Sequence, residues 1–141
     1  MAEQENVRIE RELWDAWNAH DPERYTKILD EKWMAESDTV PTPIVGRDAA
    51  REFMKMYVSA FPDLHFHVDQ TLASGEFVVS RYTATGTHRG ILMGIPATNR
   101  SATIHGCSVG QMSNEKIVRN WIYWDSGSLL RQLGVGQLGT D

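Results

Sequence analysis

The stretch from Ser101 to Asp125, SATIHGCSVGQMSNEKIVRNWIYWD, holds several side chains that could exchange a proton or grip a carbonyl: His105, Cys107, Gln111 and Asp125, with Trp121 and Tyr123 between them. β-Branched and aromatic residues on either side of Ser113-Asn114-Glu115-Lys116 predict two long strands joined by a tight turn. A three-residue loop puts Glu115 in a left-handed position that glycine would adopt more easily, at a cost of about 1 kcal/mol. With that loop the odd-numbered residues of both strands share one face. This face carries Thr103, His105, Cys107, Val109 and Gln111 beside Arg119, Trp121, Tyr123 and Asp125. The other carries Ala102, Ile104, Gly106, Ser108 and Gly110 beside Val118, Asn120, Ile122 and Trp124, and is smaller and mostly non-titratable. A loop of two or four residues would part His105 from Asp125.

A carboxylate that ends a strand among aromatic rings can take a proton and return it near neutral pH, because apolar walls penalise its charged form. The plainer reading is that Asp125 caps the turn Asp125-Ser126-Gly127, and on these residues alone capping is the better supported of the two. His65 and His67 share a strand face but have no Asp, Glu or Cys at ligand spacing, so solvent-facing histidines are expected there and no metal. Cys107 reads as a small core residue, since burial without positive charge silences a thiol. Gly86-Thr87-His88-Arg89-Gly90 lacks the GK[ST] ending of a phosphate loop. Any chemistry must therefore rest on acid, base and hydrogen-bonding groups without a cofactor.

A chain of 141 residues fits one domain, residues 1–141. The net charge of −5 disfavours nucleic acid and anionic membranes as partners. One cysteine rules out an internal disulfide and suits a reducing cytoplasm. The charged start MAEQENVRIERELW is neither signal peptide nor anchor. The expectation is a cytoplasmic, compact protein with an aromatic-lined cavity.

The positioning elements follow from periodicity. Ile9, Leu13, Trp14, Ala16 and Trp17 predict a helix over about 5–20. Asp21-Pro22-Glu23 opens a second, with Asp21 as cap. Residues 32–38 form a short strand, the prolines at 41 and 43 keep the next segment irregular, and Gly46-Arg47-Asp48 opens a third helix with Asp48 as cap. Strands follow over about 64–73 and 77–85, then the hairpin. The apolar loop 86–96 should be tucked against the body, and the tail from Gly127 offers a core only Leu129, Leu130 and Leu133, its last residues being loose. Helices before strands predict an α+β domain, with helices packed on one face of a curved, mainly antiparallel sheet that encloses a small-molecule pocket.

Several of these segments resemble the SnoaL-like polyketide cyclases. They are Ala60-Phe61-Pro62-Asp63, Gly86-Thr87-His88-Arg89-Gly90 followed by Met93-Gly94-Ile95-Pro96-Ala97-Thr98, and Lys116-Ile117 through Trp121 and Asp125 to Gln132-Leu133-Gly134. The resemblance begins at Trp17-Asn18-Ala19-His20-Asp21-Pro22 and runs to Gly134. It implies the NTF2-like cone-shaped barrel, a curved sheet against three N-terminal helices. It also implies intramolecular aldol ring closure of a hydrophobic polyketide-like substrate, without metal or cofactor. By this resemblance Asp125 is the general acid/base, and the motif reverses the preference for capping. The place of an assisting histidine on the preceding strand is held by Gln111, with His105 six residues earlier. Trp121, Tyr123 and Trp17 would stack on a flat substrate, and His105 or Gln111 would donate to the oxygen that gains charge. Tyr57 and Met54 read equally as helix-side walls or as core, and His88 of the glycine-flanked motif joins the substrate-contacting candidates. The resemblance also implies a homo-oligomer, a dimer or tetramer, for which an outer sheet face bearing Trp124 and Ile122 would serve. The rival readings are isomerisation, dehydration or epoxide opening in the same cone, or ligand binding without turnover.

Overall fold

The computed structural model describes residues 2–135. Helices α1 (Ala2–Asn18) and α2 (Pro22–Lys27) come first, then strands β1 (Leu29–Ser37) and β2 (Ile44–Val45) and helix α3 (Arg47–Ala60). Strands β3 (His65–Ser74), β4 (Phe77–Thr87), β5 (Ser101–Ser113) and β6 (Lys116–Trp124) lead into helix α4 (Ser126–Leu133). The strands form one curved sheet in the order β2-β1-β6-β5-β4-β3, antiparallel except where β1 runs parallel to β6. It does not close on itself. This is the expected cone of the NTF2-like fold.

Local chemistry places the helices. The Asp21 carboxylate accepts from Arg24 N–H at 3.1 Å and caps α2, with Pro22 at its first position. At the end of α1 the Asn18 amide donates to Phe66 O at 2.9 Å and accepts from Phe66 N–H at 2.7 Å, pairing with the backbone of edge strand β3. The Arg47 guanidinium donates to Leu29 O at 3.0 and 2.7 Å, tying the start of α3 to β1. Ile9, Leu13, Trp14, Trp17, Tyr25, Trp33 and Met54 form the core between these helices and the sheet.

Two expectations, the cap of α3 and the length of the hairpin loop, are corrected. Asp48 does not cap α3; Gly46 stands there at φ 90°, and Asp48 lies in the first turn paired with Arg51 at 2.6 Å. The tail gives Leu129 and Leu133 to a core as expected, and does so from a helix not expected there, Ser126–Leu133, which seats them in a second cluster with Ala60, Phe61, Leu92 and Ala102. The apolar loop is tucked against the body as expected, through buried His88 and Leu92, with Ile91 and Met93 exposed. The hairpin turn has two residues, Asn114 and Glu115, both left-handed at φ 51° and 61°, closed by the Ser113↔Lys116 pair. A bulge at Val118 then restores the odd-with-odd pairing, for example Cys107↔Tyr123 and Val109↔Trp121. The final residues, expected to be loose, lie outside the described ones.

Candidate functional site

The cone encloses a cavity of about 110 Å³ walled by Trp14, Trp17, Tyr25, Phe53, Tyr57, Phe66, Tyr82 and Trp124, with Ser108 and Asn120 as polar side chains in the lining. The β5–β6 hairpin lends it even-numbered residues: Ala102, Ile104, Ser108, Asn120, Ile122 and Trp124. Small side chains make the room. At Gly106 a Cβ would overlap the Tyr82 ring, so the bare backbone is what lets that ring lie across β5.

The odd-numbered face, expected to bear the site, therefore points the other way. Tyr123 is 51% exposed. Trp121 is half-buried on the outer face beneath the Arg119 guanidinium, 4.9 Å from its ring, and near Phe77. His105 is exposed with Nδ1 3.2 Å from Thr83 Oγ1, and Gln111 donates to Glu76 Oε1 at 2.9 Å. Cys107 is half-buried on that same side and not in the core. Ile122 and Trp124, expected outside, line the cavity. Pairing register fixes which residues share a face, but the helices fix which face is covered, and both faces carry large aromatics.

The helix-side candidates divide differently. Trp17 and Tyr57 line the cavity; Met54 is buried in the core and outside the lining. The Tyr57 hydroxyl is buried without a partner among the described residues, and burial pushes the phenol above its ordinary pKa. His88 is fully buried against Phe61, its Nδ1 accepting from Thr98 N–H at 3.3 Å. With its own N–H donating to Arg100 O at 2.9 Å, it pins the 88–100 loop. Exposed His65 and His67 stand on β3 as expected, and His67 pairs with Asp69 at 3.0 Å.

Asp125 follows the last residue of β6 and is exposed. Its Oδ1 accepts from Ser128 N–H at 2.9 Å, which makes it the N-cap of α4. Its chain neighbours Trp124 and Leu129 line the cavity, so the carboxylate stands beside the lining without belonging to it.

A second carboxyl went unread in the sequence. Glu10 on α1 is 1% exposed, and its Oε2 accepts from Ser80 Oγ at 2.6 Å and Trp14 Nε1 at 3.2 Å. Burial pushes its pKa up to about 7, against the opposing pull of the Ser80 and Trp14 hydrogen bonds. Asn120 beside it accepts from Trp33 Nε1 at 2.9 Å. The signal was present: Glu10 stands at helical spacing from Trp14 and Trp17, a charge inside an apolar stripe.

A cone of this topology around an aromatic cavity defines a small-molecule protein of the NTF2-like class. The family model for SnoaL-like polyketide cyclases matches residues 7–133, and the chain belongs to that family. Three solved structures share the fold. The proposed hydroxylase AclR of Streptomyces galilaeus is 26% identical, with a TM-score of 0.83 over 94% of this chain and 82% of that one. IdmH of Streptomyces antibioticus, a proposed polyketide cyclase, is 25% identical, with a TM-score of 0.79 over 92% and 99%. A proposed SnoaL-like cyclase from Jannaschia sp. CCS1 is 15% identical, with a TM-score of 0.87 over 96% and 95%. No curated protein matches the sequence. Among the described residues no helix is long and apolar enough to cross a membrane.

Proposed function

We propose that this protein closes a ring of a hydrophobic, polyketide-like molecule by cofactor-free aldol addition, with Asp125 as general acid/base. The observation that carries the reading is the aromatic cavity, which suits a flat carbon skeleton and little else. At about 110 Å³ it is smaller than the roughly 300–1,000 Å³ usual for such sites, so a multi-ring substrate must project beyond it. Leu29, Trp33, Met112 and Ile117 fill the hairpin end of the cone, and in this reading the projecting part leaves at the other end, beside half-buried Trp124. Asp125 stands at that end.

In this reading the Asp125 carboxylate removes a proton from a carbon flanked by carbonyls, and the enolate carbon bonds to the carbon of a ketone. The ketone oxygen becomes an alkoxide and takes the proton back from Asp125, so nothing is oxidised or reduced. The bound substrate would cover the carboxylate and strip its water, strengthening it as a base.

The test is turnover of an anthraquinone bearing a β-keto ester side chain, followed by chromatography of the cyclised product. Asp125→Asn keeps a capping oxygen and removes the base, so it should lower turnover by about 10²–10⁴ while leaving the fold intact. Exposure of Asp125 and its hydrogen bond to Ser128 N–H favour a second reading, ligand binding without turnover. Undiminished product formation by Asp125→Asn would remove Asp125 from the mechanism. Tight binding with no product from the wild type would select the second reading.

A further inference from the structure

We propose that the phenol hydroxyls of Tyr82 and Tyr57 form an oxyanion site in the cavity wall, each donating a hydrogen bond to the ketone oxygen that gains charge when Asp125 removes the neighbouring proton. The inference rests on the ring-closure reading and adds the groups that hold the enolate.

Ring closure through an enolate needs such donors. His105 and Gln111, expected to supply them, stand on the outer face. Tyr82 and Tyr57 both belong to the cavity lining. The Tyr57 hydroxyl is buried with no hydrogen bond among the described residues, although Thr39 is near enough to oppose the upward push of burial on its pKa. The Tyr82 phenol is pushed up by burial and then by the neighbouring Cys107 and Tyr57 charges, with no hydrogen bond pulling it back. Each phenol is therefore protonated near neutral pH, a donor lacking an acceptor, and a ligand oxygen relieves that deficit.

Both hydroxyls stand toward Asp125. Tyr82, Gly106 and Trp124 form one row across β4, β5 and β6, and the Tyr82 ring reaches along it until its hydroxyl occupies the space of a Gly106 Cβ. Ile104 and Ser108, which flank Gly106 on that face, and Trp124 beyond it all line the cavity, so this hydroxyl borders the ligand space. Tyr57 meets Trp124 from α3, edge to face, with ring centroids 6.2 Å apart and planes at 82°. It is also close enough to Tyr82 to act on its charge. Asp125 follows Trp124 in the chain, so the two donors share an end of the cavity with the proposed base. Proton removal by Asp125 sends the C–H electron pair toward the ketone oxygen, which faces two O–H groups that keep their own protons. Formation of the new carbon–carbon bond draws that pair back, and the phenols end as they began.

The test reads binding and turnover separately. Tyr82→Phe and Tyr57→Phe each remove one hydroxyl and keep the ring. Calorimetry compares acetophenone with α-methylstyrene, which has nearly the same shape and C=CH2 in place of C=O; both have the single ring that a cavity of about 110 Å³ accommodates. Each substitution should lower the ratio of acetophenone to α-methylstyrene affinity about tenfold, the factor of one ordinary hydrogen bond. The 13C signal of the bound acetophenone carbonyl should lie downfield of its position in cyclohexane and move back toward it in each variant. With the anthraquinone β-keto ester, kcat should fall about 10²–10³-fold in Tyr82→Phe with KM little changed, the cost of one lost oxyanion donor. If the variants do not fold, the wild-type carbonyl signal decides, and a position equal to that in cyclohexane overturns the inference. An affinity ratio, carbonyl signal and kcat alike in all three proteins overturn it too and leave the cavity reading standing. Hydroxyl-dependent binding in a wild type that makes no product supports the two donors and overturns ring closure. Failure of both probes to bind the wild type overturns both readings.

Discussion

The ring of Tyr82 lies directly over Gly106, occupying the space where any other residue at 106 would hold its Cβ. Tyr82 is 4% exposed and packs on Trp14 and Phe66 at centroid distances of 4.9 and 5.3 Å. One missing side chain thus seats a cluster that walls the cavity.

Gly106→Ala should consequently cost about 1–3 kcal/mol, the usual penalty for overpacking, and should displace Tyr82. Urea denaturation measures the first, and the tyrosine ring signals in an NMR spectrum report the second. A stable variant with unmoved ring signals would mean that β5 yields instead.

The Asp125 side chain holds the first turn of α4 through Ser128 N–H. Asp125→Ala should lower stability by about 1 kcal/mol, and Asp125→Asn by much less, because asparagine is as good a cap. Catalysis would separate the two roles: loss of a general base costs on the order of 10²–10⁴ in kcat, in both variants alike. Parallel melting curves and turnover assays on the pair check this.

Glu10 should make the protein less stable as pH rises. Burial raises its folded-state pKa from 4.5 to about 7, so the folded protein holds this proton more tightly than the unfolded chain does. The contribution is complete below pH 4.5, is lost as pH rises through about 7, and is level beyond. The loss amounts to roughly 3 kcal/mol at 1.36 kcal/mol per unit. Denaturant midpoints of wild type against Glu10→Gln across pH 4 to 9 should diverge over that window, since the amide cannot titrate.

Glu115 holds φ 61° in the β5–β6 turn, a conformation a side chain resists. Glu115→Gly should raise stability by roughly 0.5–1 kcal/mol, relief of that strain outweighing the extra entropy of glycine in the unfolded chain. Thermal unfolding detects it, and a lower melting temperature would show that the strain is offset elsewhere in the turn.

The sequence by itself determined the local elements, because their causes lie within a few residues of chain. Asp21-Pro22 caps and starts α2, the spacing of Ile9, Leu13 and Trp17 makes α1, and the strand-forming runs on either side of Asn114-Glu115 make the hairpin, whose odd-with-odd pairing came from the bulge at Val118 and not from the turn. The order of motifs was enough to identify the family. The tertiary structure alone decided which face of that hairpin looks inward. Trp121 and Tyr123 on one side match Ile122 and Trp124 on the other in apolar character, so alternation cannot rank the faces; α1 and α3, packed from far along the chain, cover the even one. The same long-range packing buries Glu10 against Ser80 and leaves Asp125 in solvent, since a carboxyl's surroundings are set by what folds over it.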